Sequence, residues 1–193
     1  MIETIAGWAV TPERRAEISR ILYQAFGQKL AFLLRRGSEQ EHIETLDAIM
    51  NYANGLVFAE NGETTGVGLT KARGQSTYRP EAVMRRSIGW LRARILSTFI
   101  DQSINSDDVI RVDQLAVRED RRGHGIGTTI LERIFDDARR LGLSRVALDV
   151  VDSNPRARRL YESLGFREIH TRRIPGARRY GFREVIDMEK RLD

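Results

Sequence analysis

Arg118-Glu119-Asp120-Arg121-Arg122-Gly123-His124-Gly125-Ile126-Gly127-Thr128-Thr129 opens the stretch that decides how this chain folds. Behind it Ile126, Ile130, Leu131, Ile134, Ala138 and Leu141 recur at helical spacing, and Gly142 stands where a helix would stop. Gly123, Gly125 and Gly127 let the backbone turn tightly and approach a ligand without a Cβ intervening. A glycine loop that opens a helix points unpaired N–H groups, and the positive end of the helix dipole, at whatever lies there. Such a place binds anions, phosphate most commonly, and Arg121 and Arg122 add charge at its mouth. From the glycines alone, a strand-to-helix turn with no ligand remains the other reading.

The spacing narrows the choice of ligand. A dinucleotide fingerprint needs G-x-G-x-x-G, and its third glycine would fall on Thr128 or Ile130. Asp149 and Asp152 lie where a ribose-binding acid would stand, but the missing glycine argues against a small dehydrogenase. A P-loop needs a Gly-Lys pair, and the chain has none. What is present is Arg122-x-x-Gly125-x-Gly127, preceded by the apolar strand end Leu115-Ala116-Val117. This resembles the acyl-CoA pyrophosphate loop of the GNAT family of N-acetyltransferases.

A second segment carries the same resemblance. Asn154-x-x-Ala157-x-x-Leu160-Tyr161-x-x-x-Gly165-Phe166 is similar to the family's other signature and follows the loop with one helix and one strand between. The resemblance covers residues 109–192 well and residues 1–71 only through the order of strands and helices. It implies an α/β GNAT fold: a mixed central sheet of about seven strands with flanking helices, in one N-acetyltransferase domain over 1–193. It also implies an acetyl-CoA-dependent acyltransferase acting on a primary amine by direct attack in a ternary complex. The alternative is a CoA-binding regulatory module without turnover.

The resemblance assigns roles residue by residue. Arg122, Gly123, His124, Gly125, Ile126, Gly127 and Thr128 would hold the pyrophosphate of acetyl-CoA. Leu115, Ala116 and Val117 lie on a fourth strand that splays from the fifth, freeing backbone groups for the pantetheine amides and a Leu115 N–H for the thioester oxygen. Asn154 has an amide for the pantetheine arm, and a role as helix N-cap is equally natural. Tyr161 matches the position whose phenol protonates the departing thiolate, against a plain reading as a core tyrosine beside Ala157, Leu160 and Leu164. Asp113 is the carboxylate best placed to act as general base, because Arg111, two residues earlier, stays protonated. Asp113 reads equally as the salt-bridge partner of Arg111.

The composition is that of a soluble globular protein. The 193 residues are 41% hydrophobic and 31% charged, and no stretch reaches membrane-spanning length or reads as a signal peptide. We therefore expect a cytoplasmic protein without membrane contact. With no cysteine and only His42, His124 and His170, we expect neither disulfides nor a metal. The net charge of +5 is almost wholly arginine, scattered along the chain without a nucleic-acid motif, and reads as a solvated basic surface rather than a nucleic-acid site. No motif names the acceptor, a small-molecule or peptide amine.

In chain order we expect a strand over 2–10 and a helix opened by Thr11-Pro12 with Ile18, Ile21, Leu22, Ala25 and Phe26 on its inner face, extending through Leu33 and Leu34. Ser38-x-x-Glu41 is a capping box for a second helix. Strands over 55–60 and 64–71 flank the hairpin signal Asn61-Gly62. Residues 80–105 depart from the family plan: Met84, Ile88, Leu91, Ile95 and Phe99 make a helical stripe over about 81–102, a lid over the acceptor site, a homodimer contact or simple bulk. Strands over 109–117, 144–151, 166–174 and 182–190 complete the chain. Simple alternation puts Arg111, Asp113, Leu115 and Val117 on one face of the fourth.

Overall fold

Adjacent residues Val57 and Phe58 of one strand join different apolar cores, so the molecule is a sheet with helices packed on both faces. The structure is a computed structural model and describes residues 2–30, 37–79 and 107–193. The expected helix over 81–102, with its lid or dimer role, and the extension through Leu33 and Leu34 lie outside these residues.

The strands are β1 (Ile2–Ala6), β2 (Gly55–Glu60), β3 (Glu63–Lys71), β4 (Val109–Val117), β5 (Arg145–Val151), β6 (Arg167–Arg173) and β7 (Glu184–Arg191), in spatial order β1-β2-β3-β4-β5-β7-β6. Only β4 and β5 run parallel; the other pairs are antiparallel. Helices α1 (Pro12–Leu30) and α2 (Glu39–Ile49) bury Ile18, Leu22, Leu46 and Ile49 against one face. Helices α3 (Ile126–Arg140) and α4 (Pro155–Ser163) cover the other, through Ile130, Ile134 and Tyr161.

Local chemistry sets the element ends. Ser38 accepts from the Glu41 N–H while the Glu41 carboxylate takes the Ser38 N–H, a closed capping box. Asn61 (φ 54°) and Gly62 (φ 82°) both take the left-handed conformation that a tight hairpin requires. The first strand is shorter than expected, ending at Ala6, and a single 3-10 turn covers Gly7–Ala9. A Cβ on Gly7 would lie 1.7 Å from the Tyr52 carbonyl oxygen, so the backbone there packs directly on another backbone and leaves the ladder. Strand β6 is likewise trimmed at both ends, β7 starts and ends later than expected, and Leu141, expected on the inner face of α3, is exposed just past the helix end.

The decisive feature lies between β4 and β5. They pair only from Val109↔Arg145 to Val112↔Leu148. Beyond that point β4 stays with β3 as far as Gly66↔Val117, and β5 stays with β7 as far as Val151↔Val185. A register shift marks the fork: Leu69 pairs with Gln114 and Thr70 with Val112, leaving Asp113 as an extra residue. A bulge bends and twists its strand, which turns β4 away from β5. It also breaks the expected alternation. Val112, Leu115 and Val117 belong with the α3/α4 core, whereas Ala116 is buried on the α1/α2 side and Asp113 sits beside Arg111. Arg111 and Asp113 therefore do not share a face with Leu115 and Val117.

Candidate active site

The fork opens a cleft of about 450 Å³, lined by residues 112–117 of β4, residues 148–151 of β5, and Asn154, Arg156, Leu160 and Tyr161. Which way the β4 amides point follows from one hydrogen bond. The Arg118 N–H donates to the Thr65 carbonyl of β3 at 2.9 Å. Strand geometry alternates, so the N–H groups of Ala116 and Gln114 also face β3, and those of Leu115 and Val117 face the side that β5 has left. The unpaired edge that the sequence reading expected at Leu115 and Val117 is thus open to the cleft.

Next to this cleft, a smaller one of about 210 Å³ is lined by the glycine loop, Arg121, Arg122, Arg156 and Leu160. Gly125 caps α3 in the left-handed conformation (φ 79°), and no side chain occupies the cap, so the first N–H groups of the helix are left to the cleft. Gly127 has a different reason: a Cβ there would meet Leu160 Cδ2 at 3.2 Å, so glycine lets α3 and α4 approach. Arg122 folds back, its Nε donating to the Val117 carbonyl at 3.2 Å, and lines both clefts. Arg121 pairs with Glu60 at 3.2 Å. His124 is exposed and lines neither cleft.

Tyr161 is buried, its ring tilted against Phe166 with centroids 5.9 Å apart. Its hydroxyl makes no hydrogen bond within the protein among the described residues, and burial pushes the phenol up to about 12. Asn154 does cap α4, its Oδ1 accepting from the Ala157 N–H at 3.2 Å. Its amide nitrogen has no protein partner among the described residues, so capping leaves a donor for the cleft.

The carboxylates divide sharply. Asp113 is engaged on both oxygens: Oδ2 accepts from the Thr77 hydroxyl at 2.6 Å and lies 3.4 Å from Lys71, and Oδ1 lies 3.5 Å from Arg111 Nε. Asp149 stands opposite it across the fork. Arg111 touches its Oδ2, yet 34% of its side chain stays open to the cleft. The lost hydration of the carboxyl, followed by its hydrogen bond with Asp187, raises its affinity for a proton above the usual aspartate range.

Two residues escaped the sequence reading. In the sequence Asp149 reads only as a candidate ribose ligand, because strand alternation does not say which residue of β5 faces a fork. Arg156 lines both clefts, its guanidinium over Gly123, and has no hydrogen bond or ion pair within the protein among the described residues. Its place directly after the Asn154-Pro155 helix start was the available signal. Among the described residues no cluster of histidine and acidic side chains is arranged to hold a metal, and no helix is long and apolar enough to cross a membrane.

Comparison with known proteins bears on the family and the fold. Residues 83–166 match the model of the Acetyltransferase (GNAT) family. The ribosomal protein bS18-alanine N-acetyltransferase of Escherichia coli is 41% identical over 59 residues, 31% of this chain. That match spans 40% of the relative's length. An N-acetyltransferase from Staphylococcus aureus superposes with a TM-score of 0.68 at 16% identity, over 98% of this chain and 100% of that one. The N-acetylglutamate synthase of Neisseria gonorrhoeae, complexed with coenzyme A and N-acetyl-glutamate, gives 0.57 at 15% identity, over 100% of this chain and 35% of that one. At such identities the superpositions speak for the fold.

Proposed function

We propose that this chain, which belongs to the acetyltransferase (GNAT) family, is a cytoplasmic enzyme that transfers the acetyl group of acetyl-CoA to a primary amine by direct attack in a ternary complex, with residues 1–193 as one catalytic domain. The observation that carries the reading is the fork between β4 and β5, where the N–H groups of Leu115 and Val117 face a cleft continuous with the orphan N–H groups of α3. An extended amide-bearing arm ending in phosphates fits both halves of that site. Acetyl-CoA supplies an acyl group activated as a thioester.

Arg122, Gly123, residues 125–128 and Arg156 hold the pyrophosphate, through backbone N–H groups, the helix dipole and guanidinium charge. Val117 and the Asn154 amide bind the pantetheine arm, and the Leu115 N–H faces the thioester oxygen, where negative charge develops. Asp149 takes the proton from the acceptor ammonium. We assign this role to Asp149 rather than Asp113, because Asp113 has its oxygens committed to Thr77, Lys71 and Arg111, whereas Asp149 is open to the cleft with a raised proton affinity. The freed amine forms the new C–N bond as the C–S bond breaks, Tyr161 passes its phenolic proton to the sulfur, and the proton that the acylated nitrogen then sheds restores the phenol. A hydroxyl without a protein partner, in a protonated phenol lining the cleft, suits that step.

A thiol-release screen with acetyl-CoA against small amines, polyamines and peptides tests the reading. Peptides with a free N-terminal alanine belong in the panel, given the name of the Escherichia coli relative. Release that depends on an amine supports the transferase. Tight acetyl-CoA binding without release for any amine returns the alternative, a binding module without turnover.

A further inference from the structure

Asp149 and Asp187 are direct cross-strand partners in the β5/β7 ladder. Like charges directly opposite are unfavourable, and here they stand where β5 has lost its β4 neighbour. We propose that Asp187 is a positioning residue: it accepts a hydrogen bond from the proton that Asp149 takes off the acceptor ammonium, and so raises the proton affinity of the ionised Asp149. The proposal rests on the reading of Asp149 as the base.

The arginines decide which carboxylate stays charged. Arg172 of β6 gives its fork to Asp187, with Nε 3.0 Å from Oδ2 and Nη2 2.9 Å from Oδ1, and lies 3.6 Å from Asp149. A bidentate guanidinium holds a carboxylate in its ionised form. Arg111 does reach Asp149, but it also serves Asp113, which is in turn bound by Lys71 and Thr77. Asp187 is thus the committed anion, and Asp149 is the carboxylate left to take up and release a proton. The balance of environments agrees. Lost hydration raises Asp149 and its hydrogen bond with Asp187 adds to that; burial would raise Asp187 too, but the bonds from Asp149 and Arg172 outweigh it and leave it lowered.

Among the described residues the other groups facing the pair are few. On β4 they are Arg111 and Asp113, with Lys71 of β3 behind them. On β6, besides Arg172, His170 is the register partner of Asp187. Helix α4 brings Tyr161 and Arg156 to the cleft, and α1 brings Gln24, Ala25 and Phe26, none charged.

The test is the pH dependence of kcat/KM in Asp187→Asn. Removing the like charge makes Asp149 give up its proton more readily, so the acidic limb moves down by about one pH unit or more. Arg172→Gln releases the clamp on Asp187 and moves that limb up. A merely structural loss changes the height of the profile and not its position, so a limb that stays in place in both variants overturns the proposal. Carbon-13 NMR of aspartate carboxyls in the full chain gives a readout apart from turnover: the Asp149 titration should fall in Asp187→Asn, and an unmoved titration sinks the proposed hydrogen bond. Asp149→Asn separates the layers. Full turnover with an intact acidic limb there removes the base reading, and the role of Asp187 falls with it, whatever the NMR shows.

Discussion

Tyr161→Phe removes one oxygen and leaves the packing in place. Tyr161 is 7% exposed and its ring packs on Phe166, contacts that phenylalanine keeps. Because the hydroxyl has no protein partner among the described residues, its loss breaks no hydrogen bond, and stability should stay within about 0.5 kcal/mol of the wild type. Turnover should fall about 10²- to 10⁴-fold, the usual worth of a positioned general acid, or about 2.7 to 5.4 kcal/mol in the barrier. The phenol also titrates at about 12, above its ordinary value near 10. Between those pH values the unfolded chain has lost the proton while the folded chain keeps it, so the wild type loses stability as pH rises there. Tyr52 and Tyr78, also raised by burial, add to that loss, and the variant removes only the share of Tyr161. Steady-state kinetics and calorimetry with acetyl-CoA check the main claim. A variant with wild-type turnover and affinity would return Tyr161 to the core and refute the reasoning.

Other substitutions separate the parts of the site. Arg156→Ala removes a guanidinium with no protein partner, so thermal stability should hold while the Kd for acetyl-CoA rises about tenfold; titration calorimetry reads both binding states. Gly125→Glu forces a side chain into a left-handed position, at about 1 to 2 kcal/mol, and puts a carboxylate in the anion site. Acetyl-CoA binding should vanish in a protein that still folds by circular dichroism, and unchanged affinity would contradict the assignment of the loop. Asp113→Asn breaks a buried cluster with Lys71, Arg111 and Thr77 and should cost about 3 kcal/mol in urea unfolding. Its effect on turnover should be the same at every pH. A rate loss that recovers as pH rises would instead make Asp113 the base.

The glycine loop and the Asn154–Phe166 segment were legible because they combine backbone demands with apolar periodicity. Gly125 must take a positive φ, Gly127 must admit Leu160, and Ile130 and Ile134 must face the sheet. Local rules of that kind are written in one stretch of chain. Asp113 shows where they end. Its bulge arises from the register of β3 against β4, so alternation along β4 alone placed Arg111, Asp113, Leu115 and Val117 together when the pairing separates them. Asp149 was obscured for a related reason: its environment comes from β4, β6 and β7 at once. Nor does the sequence show that β7 enters between β5 and β6, which is what sets Asp187 opposite Asp149.

Amide hydrogen exchange at Leu115 and Val117, with and without acetyl-CoA, tests the central claim most directly. Both N–H groups face the fork with no strand beside them, so they should exchange readily in the free protein and slow on binding, together with the amides that open α3. Ala116 and Gln114, already turned toward β3, should change little by comparison. Protection that appears elsewhere while Leu115 and Val117 remain unchanged would contradict the account, because the fork would then not be where acetyl-CoA lies.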